Sequence, residues 1–213
     1  MTINDAIKDE MLEYAKKKYG EIFQADTLIK SNWAYAYDAL YVYPDGKPDD
    51  KFEIHQYIDE TNMGSYADGY FGKLIKNDYE SVVADLVKES VGEAEVFISF
   101  DQVIFAQRLN GDIKVSEIYR FEENFSSQID IFVTSDQLGG TQFIEAQLKD
   151  LGVKMADKKL VSHLDLYVIS DEEYRFLDEE TFKNGLKNLE FFDRRTIQVD
   201  YSLNIVIRKV GDF

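Results

Sequence analysis

The chain reads as an α+β protein: a mostly antiparallel sheet with helices packed on one face, and two similar halves sharing that sheet. Three observations predict this class. Apolar residues recur at helical spacing in stretches closed by glycine. Short runs rich in β-branched and aromatic residues separate those stretches. The longest alternating run, near the C-terminus, needs one buried and one wet face, as antiparallel sheets have.

The first helix carries Ile7, Met11, Tyr14 and Ala15 as one stripe, with Lys16, Lys17 and Lys18 near its end and Gly20 placed to stop it. In the segment Trp33 to Tyr43 the rings of Trp33, Tyr35 and Tyr37 alternate, which reads as strand. Residues 44–50 are turn chemistry, and Phe52, Ile54 and Gln56 against Glu53, His55 and Tyr57 give the returning strand of a hairpin. A second helix over about Lys73–Ser90 presents Ile75, Tyr79, Val82, Val83 and Leu86, and Gly92 ends it. Glu95–Phe100 is a short strand.

The second half repeats the theme. Gln128–Thr134 is a strand, and Phe143, Ile144, Leu148 and Leu151 form a helix closed by Gly152. Leu160–Ser170 is another strand, and Phe182, Leu186 and Leu189 mark a weaker helix. From Thr196 to Ile205 polar and apolar residues alternate and Ile207 extends the apolar series, a strand long enough to sit centrally or to curve and to join the two halves. The segments beginning at Glu95, Asp130 and Asp165 echo one another at a spacing of 35, each an acidic residue, an apolar run and an Asp. A duplicated strand unit and a shared strand-end chemistry both account for this. The whole, 213 residues, fits one domain with sub-halves 1–101 and 102–213.

Composition bounds function. Forty-one acidic residues face 24 basic ones, a formal charge of -17. That field opposes phosphate binding, so nucleic acid is not an expected partner, nor are anionic membrane surfaces. It suits a basic protein partner, and it equally serves solubility. The absence of cysteine removes thiol catalysis, thiolate metal sites and disulfides. No run reaches the ~20 apolar residues of a membrane span, so no membrane insertion is expected. The N-terminus lacks a signal-peptide pattern, which places the chain as written in the cytoplasm and leaves the extracytoplasmic side open for a chain whose leader has been removed.

Catalytic patterns are wanting. His55 and His163 are the two histidines, and each reads as a half-exposed strand residue. Neither belongs to a zinc motif, and Ser65 lacks a nucleophile-elbow context. Asp45–Asp50 does not match a calcium loop, and Gly139-Gly140-Thr141 is better explained by Thr141 as a helix cap than as a phosphate cradle. No carboxylate pair is singled out for glycoside hydrolysis. No enzyme activity, cofactor or metal is expected. Two clusters qualify as partner-binding surfaces. One is Trp33, Tyr35 and Tyr37, whose rings are core pairs if buried and interface anchors or sugar platforms if exposed. The other is Asp171, Glu172, Glu173 and Tyr174, at the densest acidic stretch, a solvated loop or a contact for a basic partner.

Residues 18–23 (Lys-Tyr-Gly-Glu-Ile-Phe), 33–38, Tyr43-Pro44 and 66–72 (Tyr-Ala-Asp-Gly-Tyr-Phe-Gly) resemble an uncharacterised, lipoprotein-like α+β family of Gram-positive bacteria (Firmicutes). The resemblance covers about half the chain, supplies no catalytic residue and implies attachment to the cell surface. In general character the chain is similar to TipC-type immunity proteins, acidic α+β proteins with a sheet surface that grips a secreted toxin. The expectation is therefore a non-enzymatic acidic binding protein, an immunity protein that blocks a secreted toxin with a basic domain. The alternative is an extracytoplasmic sensing or cell-wall ligand-binding domain that uses the aromatics as a stacking platform.

Overall fold

A computed structural model describes residues 2–58, 61–138, 143–178, 182 and 190–209. The helix expected around Leu186 and Leu189 and the Gly139–Thr141 turn lie outside the described residues. The α+β class is borne out, with two separate five-stranded sheets in place of the shared one expected from the sequence. The chain forms two compact units that are not successive halves: Met1–Lys76 with Gln102–Lys114, and Asn77–Asp101 with Val115–Phe213.

In the first unit, α1 (Ile3–Tyr19) is closed at both ends by its own sequence. Thr2 Oγ1 accepts from the Asp5 N–H at 3.2 Å while the Asp5 carboxylate accepts from the Thr2 N–H at 2.8 Å, a capping box. Gly20 takes φ 71°, the left-handed conformation a helix C-terminus favours. The sheet runs in the order β1 (Phe23–Ile29), β2 (Tyr37–Pro44), β3 (Phe52–Tyr57), β4 (Tyr66–Asp68), β6 (Phe105–Ala106), antiparallel throughout. Register puts Leu40 opposite Ile54 and Val42 opposite Phe52, so these four share one face. Together with Met11, Tyr14 and Ala15 of α1 they form a core. Each large side chain buried there contributes about 1.5–3 kcal/mol.

The opposite face carries the odd-numbered partners: Tyr37 faces Tyr57, Ala39 faces His55, and Tyr41 faces Glu53. Trp33 and Tyr35 are not in a strand, contrary to the alternation reading. The N–H of Asn32 donates to the Tyr35 carbonyl and the Tyr35 N–H to the Asn32 carbonyl, closing a four-residue turn, and Asn32 Oδ1 also accepts from the Ala34 N–H at 2.8 Å. Asparagine's local bonding stops the ladder and lets the strand begin only at Tyr37.

The second unit has the order β10 (Ile205–Lys209), β9 (Phe191–Val199), β8 (Ser162–Ile169), β7 (Ser127–Thr134), β5 (Glu95–Phe100). Only β7 and β8 are parallel among its described pairs, and their eight register partners, from Ser127↔Ser162 to Thr134↔Ile169, each stand 35 residues apart. The sequence echo is thus read out in space, with its three segments as adjacent strands. β5 runs antiparallel to β7, which a simple tandem strand–helix repeat would not produce.

Helix α2 (Tyr70–Ser90) reaches into this unit, where the Tyr79 hydroxyl meets Ser127 Oγ at 2.8 Å. After the short helix α3 (Ile118–Phe121), helix α4 (Ile144–Asp157) lies against β9 and β10. Gly152 does not end α4, as the sequence suggested, but sits inside it, where a Cβ would stand 2.8 Å from Ile205 Cγ2. The glycine is a close-approach residue that lets the helix backbone touch the sheet. Short α5 (Asp171–Phe176) adds Tyr174 and the following Leu177 against Phe132, Tyr167 and Ile169 on the opposite face.

The long C-terminal strand is a hairpin. The Leu203 N–H donates to the Asp200 carbonyl and the Asp200 N–H to the Asn204 carbonyl, with the Asp200 carboxylate accepting from the Ser202 and Asn204 amides. Five turn residues keep paired positions at the same parity, Val199 with Ile205 and Ile197 with Ile207. The alternation therefore passes through the turn uninterrupted, which is why the sequence pattern hid it.

Candidate binding surface

The open face of the first unit's sheet gathers the aromatic residues singled out in the sequence. Trp33 stands at the corner of its turn and is 99% exposed; Tyr35 is 54% exposed. Tyr37 is half-buried in β2, with the Tyr35 ring 5.5 Å away and the Tyr57 ring 6.0 Å away. Tyr41 and Tyr43 continue the same face, also half-buried. His55 is 7% exposed rather than half-exposed, because the Tyr37 ring stacks on it at 4.0 Å and 12°. Its Nε2 lies 2.8 Å from Glu53 Oε2. Burial works against the Glu53 charge, but hydrogen bonds from Tyr41 and His55 outweigh it and hold the carboxyl below its ordinary range.

The turn that presents Trp33 is anchored from below. Asp38, 3% exposed, accepts from the Ser31 N–H at 2.8 Å and pairs with Lys30. Burial would raise its pKa, yet the bonds from Lys30 and Ser31 hold it low. A fully exposed tryptophan on a turn held at both ends is an available anchor, since little backbone freedom remains to be lost on contact.

The acidic cluster lies in the other unit and is a helix rather than a loop. Ser170 caps α5, and Glu173 closes the capping box by accepting from the Ser170 N–H at 3.2 Å and from the Glu190 N–H at 2.7 Å. Glu173 is therefore committed to structure and Tyr174 to packing, while Asp171 and Glu172 remain exposed.

Two further polar clusters were not legible in the sequence. In the first unit Asp68 is fully buried and accepts from Tyr14 and Tyr19 hydroxyls, both at 2.6 Å, from Lys18 Nζ at 2.7 Å and from the Tyr70 N–H at 3.0 Å. Burial and the neighbouring carboxylate push both tyrosines far up, so they stay protonated donors. Every partner is satisfied, which marks a structural knot. Beside it, Tyr14 and Tyr66 stack at 4.4 Å along a shallow cleft of about 550 Å³ that Asp9, Glu10, Glu13 and Lys17 also line.

In the second unit Asp130 and Asp165 face each other across the parallel β7–β8 ladder, 7% and 3% exposed. Arg194 reaches Asp165 with Nε at 3.3 Å and Nη2 at 3.0 Å, and Thr196 Oγ1 donates at 2.6 Å. Those bonds overcome burial and keep Asp165 low, whereas burial and then the Asp165 charge raise Asp130. His163 is half-exposed as expected, 3.7 Å from Asp165. Split carboxylates can do acid–base work. Here the charged member is already saturated by the chain's own cation and hydroxyl.

Among the described residues no group of three or more metal-ligating side chains is positioned to hold an ion, and no helix is long and apolar enough to cross a membrane. No family profile matches the chain, and no curated protein matches it. Among solved structures, a DUF5037 family protein from Ruminococcus gnavus ATCC 29149 is similar, with 15% identity over 92% of each chain and a TM-score of 0.44.

Proposed function

We propose that the protein is a non-enzymatic binding protein that docks a protein partner on the open face of its first sheet, with Trp33 as the anchor, and that it acts as an immunity protein blocking a secreted toxin. The observation that carries the docking reading is the exposed Trp33 turn, braced by Asp38 and flanked by half-buried tyrosines. Tryptophan and tyrosine dominate interface hot spots because they bury much area at low entropic cost. The charge of -17 supports a basic partner, drawn in at rates that fall with salt. The toxin assignment rests on the resemblance to acidic immunity proteins.

The test is a pull-down from source-cell lysate and medium with wild-type and Trp33→Ala/Tyr35→Ala baits, followed by an activity assay of the captured protein. The expected result is one stoichiometric partner, lost with the variant, whose toxic activity the wild-type chain suppresses. A partner that stays fully active in the complex defeats the immunity reading. A partner held equally by the variant defeats the surface.

The cleft beside Tyr14 and Tyr66 favours a second reading, a small-ligand sensing domain. A thermal-shift screen of glycans and peptides addresses it, since a ligand at 100 times its Kd stabilises by about 2.7 kcal/mol. Loss of that shift on Tyr66→Ala would assign the ligand to the cleft.

A further inference from the structure

Among the described residues of the open face, the charged side chains are already arranged in pairs. Lys51 shares the face by register parity and is engaged by Asp26, 2.7 Å away. Glu53 stands opposite Tyr41 and two same-face rows from the Tyr37–Tyr57 pair, with His55, on which the Tyr37 ring stacks, in the row between. A carboxylate offers about four acceptor sites, and Tyr41 and His55 occupy two of those on Glu53. The remaining sites and the ring faces beside them make a defined chemical niche. Ring faces are negative and attract cations. A planar cation that can lie on a ring while forking onto a carboxylate fits this pattern better than a compact ammonium. The surrounding charge points the same way, because the first unit holds 15 acidic and 11 basic residues and the whole chain is more acidic still.

We infer that the open face takes a basic loop of a protein partner, an arginine of which lies over Tyr37 and Tyr57 and pairs with Glu53. This rests on the docking reading above and names the chemistry of the partner. Arginine is the basic residue enriched at interfaces, and its weak hydration lowers the cost of seating it beside rings. A neutral sugar would stack on the same tyrosines but bring no charged donor to the remaining acceptor sites of Glu53.

The test uses the full chain and two peptides, nona-arginine and nona-lysine, at about 150 mM salt, where long-range attraction between exposed charges is damped. Trp33 is the only tryptophan and reports binding by fluorescence. Nona-arginine is expected to bind about tenfold more tightly than nona-lysine, the equivalent of one to two cation–π contacts. Tyr37→Leu/Glu53→Gln should erase that difference, whereas Asp171→Asn/Glu172→Gln in α5 should leave it unchanged. Should the first pair fail to fold by circular dichroism, Tyr57→Leu alone serves, and it too must erase most of the preference. Equal affinity for the two peptides overturns the inference, and so does a preference lost with the α5 pair instead. Binding of chitotetraose in place of either peptide also overturns it. If the peptides fail to discriminate while the pull-down partner is still lost with Trp33→Ala/Tyr35→Ala, the arginine chemistry falls and the docking surface stands.

Discussion

The two units solve the same problem, a five-stranded sheet with a helix against it, using different chemistry. The first holds nine of the 14 tyrosines and four of the 15 phenylalanines; the second holds five and 11. Acidity is just as uneven, with 15 acidic against 11 basic residues in the first unit and 26 against 13 in the second. The tyrosine-rich unit buries rings whose hydroxyls need partners, and it supplies Asp68 and Lys18 to satisfy them. The phenylalanine-rich unit packs Phe97 and Phe132 as apolar bodies and sets the two carboxylates most deeply buried among its described residues side by side, Asp130 and Asp165 under Arg194. Buried charge is thus a framework in one unit and a local balance in the other. The difference also leaves tyrosines for the open face, where a hydroxyl tolerates water and a ring still offers contact area.

The contrast between the units makes Asp68→Ala the most damaging substitution. It strands a Lys18 side chain that is only 6% exposed, along with two tyrosine hydroxyls, and should cost about 3–5 kcal/mol in urea unfolding. Far-UV circular dichroism follows the transition. A loss below about 1 kcal/mol would show that the knot is not a framework.

The second unit should answer unequally at its two carboxylates. Asp165→Asn removes the partner of a partly exposed Arg194 and is expected to cost about 2 kcal/mol, a value discounted for solvent screening. Asp130→Asn should be neutral or stabilising at pH 7, because a carboxyl whose folded pKa is raised penalises the folded state until it is protonated. The signs against pH follow. Asp165, held low, contributes stability above its unfolded pKa of about 3.9, lost as pH falls through its folded value. Asp130 contributes in the other direction, its penalty easing as pH falls through its raised value. A thermal-melt series from pH 7 to pH 3 on both variants separates the two. If both substitutions destabilise equally, the local balance is wrong.

Gly152→Ala should cost about 1 kcal/mol, the crowding against Ile205 exceeding the helix propensity that alanine gains. The double variant with Ile205→Ala should relieve the crowding, as read by a non-additive double-mutant cycle. Trp33→Ala should change stability least, within about 0.5 kcal/mol, since a side chain 99% exposed has nothing to lose on unfolding. A larger effect would mean the ring is a structural prop and not an anchor.

The reach of sequence reasoning differs from element to element. The α1 stripe and its Gly20 stop were legible because a local period and a local cap carry them. The hairpin of β2 and β3 and the helix α2 were legible on the same ground. The aromatic cluster was legible as a set, yet the alternation of Trp33, Tyr35 and Tyr37 pointed to a strand where Asn32 builds a turn. Parity misled again at Asp200, whose five-residue turn preserves the alternation. Gly152 looked like a helix end since glycine's need for space is invisible without the facing Ile205. Neither Asp68 nor the Asp130–Asp165 pair carried a signal, because each acidic residue is one of 41 until burial distinguishes it.

The sequence alone settles what is local: where apolar periods start and stop, which caps close them, and that no run is long and apolar enough for a membrane-spanning helix. The long-range features come from the folded chain alone: two sheets in place of one, units interleaved along the chain, a parallel pair whose partners stand 35 residues apart, and a tryptophan left in water. Local order follows from propensity and hydrogen bonds between near neighbours, which the sequence displays directly. Strand partners and burial follow from which distant surfaces meet, and the free energy of that choice is shared among many weak contacts with no single residue to announce it.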